Sequence, residues 1–304
     1  MPPAPILLFT YNRPSHTRQT LEALLNNALC SESELFIFSD GYKNSTDKKD
    51  VLKVRELIRS IDGFKEIHII ENAYNFGLAK NIIEGVTQVV GKYGKVIVLE
   101  DDLVTSPRFL SFMNEALDKY EKEEKIGHIH GFCYPLPDLP DAFLIKWTGS
   151  WGWATWKRAW QQFNPDGKAL LDEIKSRNLS KSFDFNGKYP YTRMLQRQVN
   201  GRNNSWAIRW NASLFLKEVL SVNAGKSLVK NIGFDGSGIH SGNQDIYATN
   251  LCNQKLSVNI PEITENKAVR KSYEEYYGKT NSFWAKVKRR LKRYRVRKPL
   301  DITR

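Results

Sequence analysis

Short apolar runs and amphipathic stretches alternate along the first 132 residues. Pro5 to Phe9, Leu35 to Phe38, Ile67 to Ile70, Lys95 to Leu99 and Ile126 to Phe132 read as strands. Pro14 to Asn27, Asp47 to Ser60, Leu78 to Val90 and Ser106 to Tyr120 read as helices between them. Leu21, Leu24, Leu25 and Leu29 share one face of the first helix; Val51, Val54 and Ile58 point inward from the second, with Asp47 as its cap. Strand alternating with helix predicts an α/β fold, a parallel sheet covered on both faces and joined by right-handed crossovers.

The second half reads differently. Trp147 to Trp160 carries five tryptophans in fourteen residues, and Lys188 to Leu220 mixes polar and aromatic positions. Leu228 to Ile232 reads as a short strand before the glycine-rich stretch Gly233 to Gly242. With no repeat and no low-complexity linker, 1–282 is expected to form one globular domain with halves 1–132 and 133–282, followed by a basic tail at 283–304.

Composition agrees with a packed protein. Hydrophobic residues make up 41% of 304, enough for a substantial core. Cys30, Cys133 and Cys252 form no metal spacing and no disulfide framework. Together with the lack of a signal-like or membrane-spanning run, they lead us to expect a reducing, cytoplasmic setting. The formal charge of +13 suggests nucleic acid at first sight. Ten of the 46 Lys and Arg residues, against one of the 33 acids, fall between Lys286 and Arg304, so the rest of the chain is close to neutral. In that tail Trp284, Val287, Leu291 and Tyr294 recur at helical spacing among basic residues. The pattern suits an anionic membrane surface, and no nucleic-acid partner is expected; a solvated tail is the plainer alternative.

Chemistry concentrates at Val96-Ile97-Val98-Leu99-Glu100-Asp101-Asp102, where a buried strand runs into three carboxylates. Open α/β sheets bind ligands beyond the carboxyl ends of their strands. Adjacent carboxylates repel, and Mg²⁺ or Mn²⁺ relieves that repulsion with one or two acids plus substrate phosphates. A solvated turn leading into the next helix explains the same residues without a ligand. Neither the dinucleotide Gly-x-Gly-x-x-Gly pattern nor a phosphate-binding Gly-Lys-Ser/Thr loop occurs, so a nucleotide must be held otherwise. His128 and His130 alternate on one strand face and read as packing residues, because no third zinc ligand is evident.

Four segments in order resemble glycosyltransferases of the GT-A fold: Leu8 to Pro14 (Leu-Phe-Thr-Tyr-Asn-Arg-Pro), Phe38 to Gly41 (Phe-Ser-Asp-Gly), Asn72 to Asn81, and Leu99 to Asp102. The acid triplet with the downstream Trp-Gly-Trp segment is similar to relatives of N-acetylglucosaminyltransferase I. The whole set resembles bacterial family 2-like transferases of surface-polysaccharide pathways. The resemblance runs from about Pro5 to His240.

It implies a nucleotide-sugar-binding first half and an acceptor-binding second half. Asp102 would hold the metal, with His240 as a later ligand. Thr10, Tyr11, Arg13, Asp40, Asn75, Gly77, Lys80, Asn81, Glu100, Asp101 and Trp153 would line the donor, Asp40 meeting the base. In this reading Arg13 forks onto a carboxylate or phosphate, or simply pairs with Asp40, and Gly77 allows close backbone approach. Trp151, Asn204, Trp206 and Arg209 would lie on the acceptor side. Bacterial relatives often carry Asp-Ser-Trp-Ala-Ile-Arg where this chain has Asn204 to Arg209, and an amide accepts no proton at neutral pH. Asp235 is therefore expected as the catalytic base, with a plain turn residue as the alternative. Asn231 to Gly242 resembles a donor loop.

The expected activity is metal-dependent, inverting transfer from a nucleotide sugar, a UDP-sugar, to a glycan or lipid-linked acceptor. The enzyme would sit peripherally on the inner face of the cytoplasmic membrane. Rival readings are a catalytically impaired nucleotide-sugar or glycan-binding protein of the same fold, and a nucleic-acid-binding protein acting through the tail.

Overall fold

The computed structural model describes residues 2–235 and 247–282. His240, most of the loop 231–242 and the tail 283–304 lie outside the described residues. The first half contains β1 (Ile6–Thr10), α1 (Pro14–Leu25), β2 (Glu34–Ser39), α2 (Ser45–Arg59), β3 (Glu66–Glu71), α3 (Leu78–Tyr93), β4 (Lys95–Glu100), β5 (Leu103–Thr105), α4 (Phe109–Lys119) and β6 (Ile126–His130). The second half adds β7 (Ala142–Ile145), β8 (Trp153–Trp156), α5 (Lys157–Trp160), α6 (Gly167–Ser176), α7 (Ser180–Phe183), α8 (Tyr191–Val199), α9 (Trp206–Leu216), β9 (Leu220–Ala224), β10 (Val229–Asn231) and α10 (Lys267–Asn281).

Eight strands form one sheet in the order β3-β2-β1-β4-β8-β6-β9-β7. The block β3-β2-β1-β4 is parallel, as the β-α alternation predicts. The all-parallel expectation fails beyond it. β8 runs antiparallel between β4 and β6, and β7 runs antiparallel beside β9. The second half is thus no separate layer: its strands complete the sheet of the first. Apolar clusters cover both faces, one including α1, α2 and α4 residues, the other α3, α5 and α9 residues. Burial on both faces explains why the strands read as continuous apolar runs.

Two local departures position the site. α2 begins at Ser45, because Asn44 Oδ1 accepts from the Asp47 backbone N–H at 3.0 Å. That frees the Asp47 carboxylate for other work. α4 begins only at Phe109, because the residues after the acid triplet form β5 and pair antiparallel with β10. A segment 128 positions later is thereby laid against Asp102 (Leu103 pairs with Asn231).

Candidate functional site

β1 and β4 are parallel neighbours with Phe9 beside Glu100, so the loop after β1 and the acid triplet share one sheet edge. The Tyr11 backbone N–H donates to Asp101 Oδ2 at 3.3 Å. One guanidinium nitrogen of Arg13, NH2, donates to both Asp101 Oδ1 at 2.6 Å and Asp102 Oδ2 at 3.0 Å. Arg13 therefore bridges two carboxylates through one nitrogen, and does not pair with Asp40. Thr20 Oγ1 of α1 secures the Asp101 carbonyl at 2.9 Å. Tyr11 donates its hydroxyl to Asp47 at 2.8 Å, and Asn12 donates to the same carboxylate. Burial, then the Asp47 bond, pushes the Tyr11 phenol up to about 12. Thr10 is buried and its hydroxyl has no hydrogen-bond partner.

The three acids outnumber their one cation. Burial, then repulsion from Asp102 and Asp101, pushes Glu100 up to about 8, with Arg13 opposing. Burial also raises Asp101, again against Arg13. Arg13 itself is held above its ordinary value: burial works against the charge, but Asp101 and Asp102 outweigh it. Burial is the larger cause for both acids, and the mutual repulsion that adds to it reflects three carboxylates beside one guanidinium.

Asp40 ends β2 and is buried. Its Oδ1 accepts from the backbone N–H groups of Gly41 and Phe76 and from the Asn72 amide. Its Oδ2 accepts from Gly77 N–H and the Asn75 amide. Asp40 is therefore the fastening of the 72–77 loop, a role that sequence reading did not assign. Gly77 serves its backbone conformation: its φ is +77° and an added Cβ would meet nothing within 4 Å, so close approach is not the reason for glycine. Asn81 is buried and bonds back to Gly77 O and Asn72. Lys80 stands exposed over the Phe76 ring at 4.2 Å and 3.7 Å from Glu84.

The segment after β10 crosses the acids. Ile232 N–H donates to Asp102 O at 2.9 Å. A Cβ on Gly233 would lie 2.2 Å from Asp102 Oδ2 and 3.0 Å from an Arg13 nitrogen. Asp235 follows and faces His16 Nε2 of α1 at 3.1 Å. Trp151 is half-buried, its ring edge-on to Phe132, Phe234 and Tyr247. Beside the triplet this makes an aromatic wall of the kind that suits the C–H faces of a sugar.

Three expected contacts are core instead. Trp153 is 1% exposed, stacked on Trp206 and His128, and Trp206 is 3% exposed. Large rings at the junction of sheet and α9 are worth more buried than exposed. Arg209, also buried, clamps Ser205 O, Pro165 O and Asn204 Oδ1. Asn204 is exposed at the start of α9. His128 and His130 are packing residues: Trp210 donates to His128 Nδ1 and His128 Nε2 meets Gly149 O. Sequence reading gave no site role to His16, Asp47, Asn72 or Gly233, although Asn72 opens the third family-like segment, Asp47 was read as a helix cap and Gly233 fell in a glycine-rich run.

The donor set suits a hard cation. Asp102 and its neighbours offer oxygen atoms and surplus negative charge, which Mg²⁺ or Mn²⁺ takes together with phosphate oxygens. The triplet is not a closed cage. Among the described residues, the one group of three ligating side chains within 4.8 Å of one another is Glu34, Glu66 and His68. That group sits at the opposite, amino-terminal ends of β2 and β3, where Tyr93 and Lys65 already serve Glu34.

A search of curated proteins finds no match. Among solved structures, the chain is similar to a mannosyltransferase from Pyrobaculum calidifontis, solved in complex with GDP-Man and Mn²⁺. The similarity has 10% identity and a TM-score of 0.43, covering 72% of this chain and 70% of that one. It is also similar to TarS of S. aureus, at 14% identity and a TM-score of 0.32, over 45% of this chain and 23% of that one. Residues 6–137 match the family model described as Glycosyl transferase family 2. They hold β1 to β6 and the Arg13–Asp101–Asp102 cluster, so the part of the chain similar to that family is the part that carries the acid triplet.

Proposed function

We propose that the chain transfers a sugar from a nucleotide-sugar donor, a UDP-sugar, to a glycan or lipid-linked acceptor, with a divalent cation and inversion at the anomeric carbon. The observation that carries this reading is the carboxylate-rich end of β4, with an excess of negative charge beside one arginine. Asp102, with Glu100 and Asp101 near it, would hold Mn²⁺ or Mg²⁺. The cation supplies charge stabilisation for the departing diphosphate. The 72–77 loop, fastened on Asp40, borders the donor, and Trp151 faces sugar or acceptor. Asp235, the acid carried across Asp102, would take the acceptor proton. Inversion needs no enzyme nucleophile, and the acids present suffice for it. The basic tail would hold the enzyme on the inner face of the cytoplasmic membrane, where surface polysaccharide is assembled on lipid carriers.

The test is thermal shift of the full chain with UDP-sugars and GDP-mannose, with and without Mn²⁺, followed by transfer assays with the stabilising donor. A native-state ligand at about a hundred times its Kd adds roughly 2.7 kcal/mol of stability. Asp102→Ala should remove the metal-dependent shift and cut transfer about a hundredfold to a thousandfold. Donor binding without any transfer or hydrolysis would favour the sugar-nucleotide-binding reading; metal-independent transfer would refute the cation.

A further inference from the structure

One nitrogen of Arg13 lies within hydrogen-bond distance of both Asp101 and Asp102. The oxygen it meets on Asp102 is Oδ2, the same atom against which Gly233 is packed. We infer that Arg13 is a resident cation that fills the metal seat, so that free metal binds poorly and metal enters together with the diphosphate. This rests on the reading of Asp102 as metal-holding.

Geometry and charge make the case together. The side chains of Arg13, Asp101 and Asp102 are 21%, 5% and 13% exposed, so water screens them weakly. A guanidinium and a divalent cation cannot both sit on Asp102 Oδ2 at contact distance, because like charges in so little solvent repel strongly. The Gly233 backbone also passes close to Asp102 Oδ2 and to Arg13, which narrows the space around that oxygen. Metal entry therefore requires the Arg13 side chain to leave. Leaving alone strands a half-buried positive charge, which is costly. A diphosphate arriving with the metal gives the guanidinium a new anion, and its planar fork suits phosphate oxygens. The exchange is then charge for charge: metal onto Asp102, Arg13 onto phosphate. Arg13 is in this sense a positioning residue that sets the order of binding.

The test is Mn²⁺ binding by the full-length protein, read by loss of the free-ion electron paramagnetic resonance signal. Three conditions are compared: Mn²⁺ alone, Mn²⁺ with UDP, and Mn²⁺ with GDP. The wild-type protein should bind Mn²⁺ weakly alone and tightly with the fitting nucleotide. Arg13→Gln removes the resident charge and should tighten binding of Mn²⁺ alone about tenfold or more, while weakening the gain from nucleotide. Asp102→Asn added to Arg13→Gln should abolish the tightened binding. Arg13→Met also removes the charge and gives the same comparison if Arg13→Gln does not fold. Equal Mn²⁺ affinity in wild type and both Arg13 variants, with nucleotide-dependent binding still lost in Asp102→Asn, would overturn the inference and leave the metal reading standing. Nucleotide-dependent Mn²⁺ binding that survives Asp102→Asn would remove the metal reading itself.

Discussion

The Asn75 side-chain amide donates to Asp40 Oδ2 at 2.9 Å, joining the end of β2 to a loop 35 residues further on. Four other donors converge on the same carboxylate. Hydrogen bonds to an ionised acceptor are stronger than neutral ones, and their loss leaves buried donors unpaired. Asp40→Asn turns an amide N–H towards donors and should cost roughly 1–3 kcal/mol of stability. It should also raise the KM for donor more than it lowers kcat, because the loop and not the chemistry is disturbed. Chemical denaturation and steady-state kinetics check both; an unchanged unfolding midpoint would show that the loop does not depend on Asp40.

Trp151 and Trp153 are two residues apart and face different surroundings. Trp153 is sealed between Trp206 and His128, whereas Trp151 is half-buried against Phe132, Phe234 and Tyr247. Trp153→Ala should therefore cost about 3–5 kcal/mol of stability. Trp151→Ala should cost less stability and act on the KM for acceptor or donor sugar. Thermal melts beside kinetics separate the two, and the reverse ranking would undo the assignment of core and wall.

The strands β1 to β4 were legible because a sheet covered on both faces leaves continuous apolar runs, and their parallel pairing followed from the helices between them. Neither β8 nor its direction was legible, since Trp147 to Trp160 read as a tryptophan-rich stretch and not as a strand. Periodicity identifies a strand, but which neighbours it joins depends on contacts far along the chain: Trp153 pairs with Val98 on one side and His130 on the other. The acid triplet was visible as three adjacent carboxylates after an apolar run, although a solvated turn leading into the next helix reads the same in sequence. Its partner was only narrowed down, since an arginine fork suits Asp40, Asp101 or a phosphate alike. His16 gave no signal, because one histidine on a helix face looks the same whether or not an acid such as Asp235 arrives from over two hundred positions away. Tryptophans are equally ambiguous, since one ring serves a core or a sugar.

The buried histidines predict an acid weakness. Burial holds His130 down at about 3 and His128 well below 6.5, with His130 adding to the effect on His128. Trp210 already donates to His128 Nδ1, so a proton there would set two donors against each other. The unfolded chain binds these protons from about pH 6.5 downwards and the folded chain does not, so stability is full above that value and falls as pH drops towards about 3. His130→Phe should flatten part of this fall. Denaturant midpoints between pH 7 and pH 4 measure it; a midpoint independent of pH in the wild-type chain would contradict the buried neutral state.

The tail 283–304 is outside the described residues, so its prediction rests on sequence. An apolar stripe through Trp284, Val287, Leu291 and Tyr294 amid Lys and Arg residues suits an anionic lipid surface. Each basic residue near such a surface contributes about 1 kcal/mol. The full chain should co-sediment with anionic vesicles and release with salt, and a chain shortened to end at Asn281, the last residue of α10, should not. Equal binding by both chains, or binding by neither, would refute the anchor.

Asp235 and Asn204 compete for the role of base, and the structure separates them by surroundings. Asn204 is exposed and accepts from Arg209 at 3.3 Å, an amide tied to a structural clamp. Asp235 arrives on the segment that crosses Asp102 and faces His16 at 3.1 Å. If Asp235 is the base, as proposed, the His16 contact would orient its carboxylate for the proton transfer. Asp235→Asn should lower kcat about a hundredfold or more, with the KM for donor little changed. His16→Gln should lower kcat less, because the amide can still orient the carboxylate. Asn204→Asp should leave kcat near the wild-type value if Asp235 is the base, and should raise it if position 204 is the site of a lost one. Normal turnover in Asp235→Asn together with a faster Asn204→Asp enzyme would transfer the role to position 204 and reduce the His16–Asp235 pair to a fastening of the crossing segment.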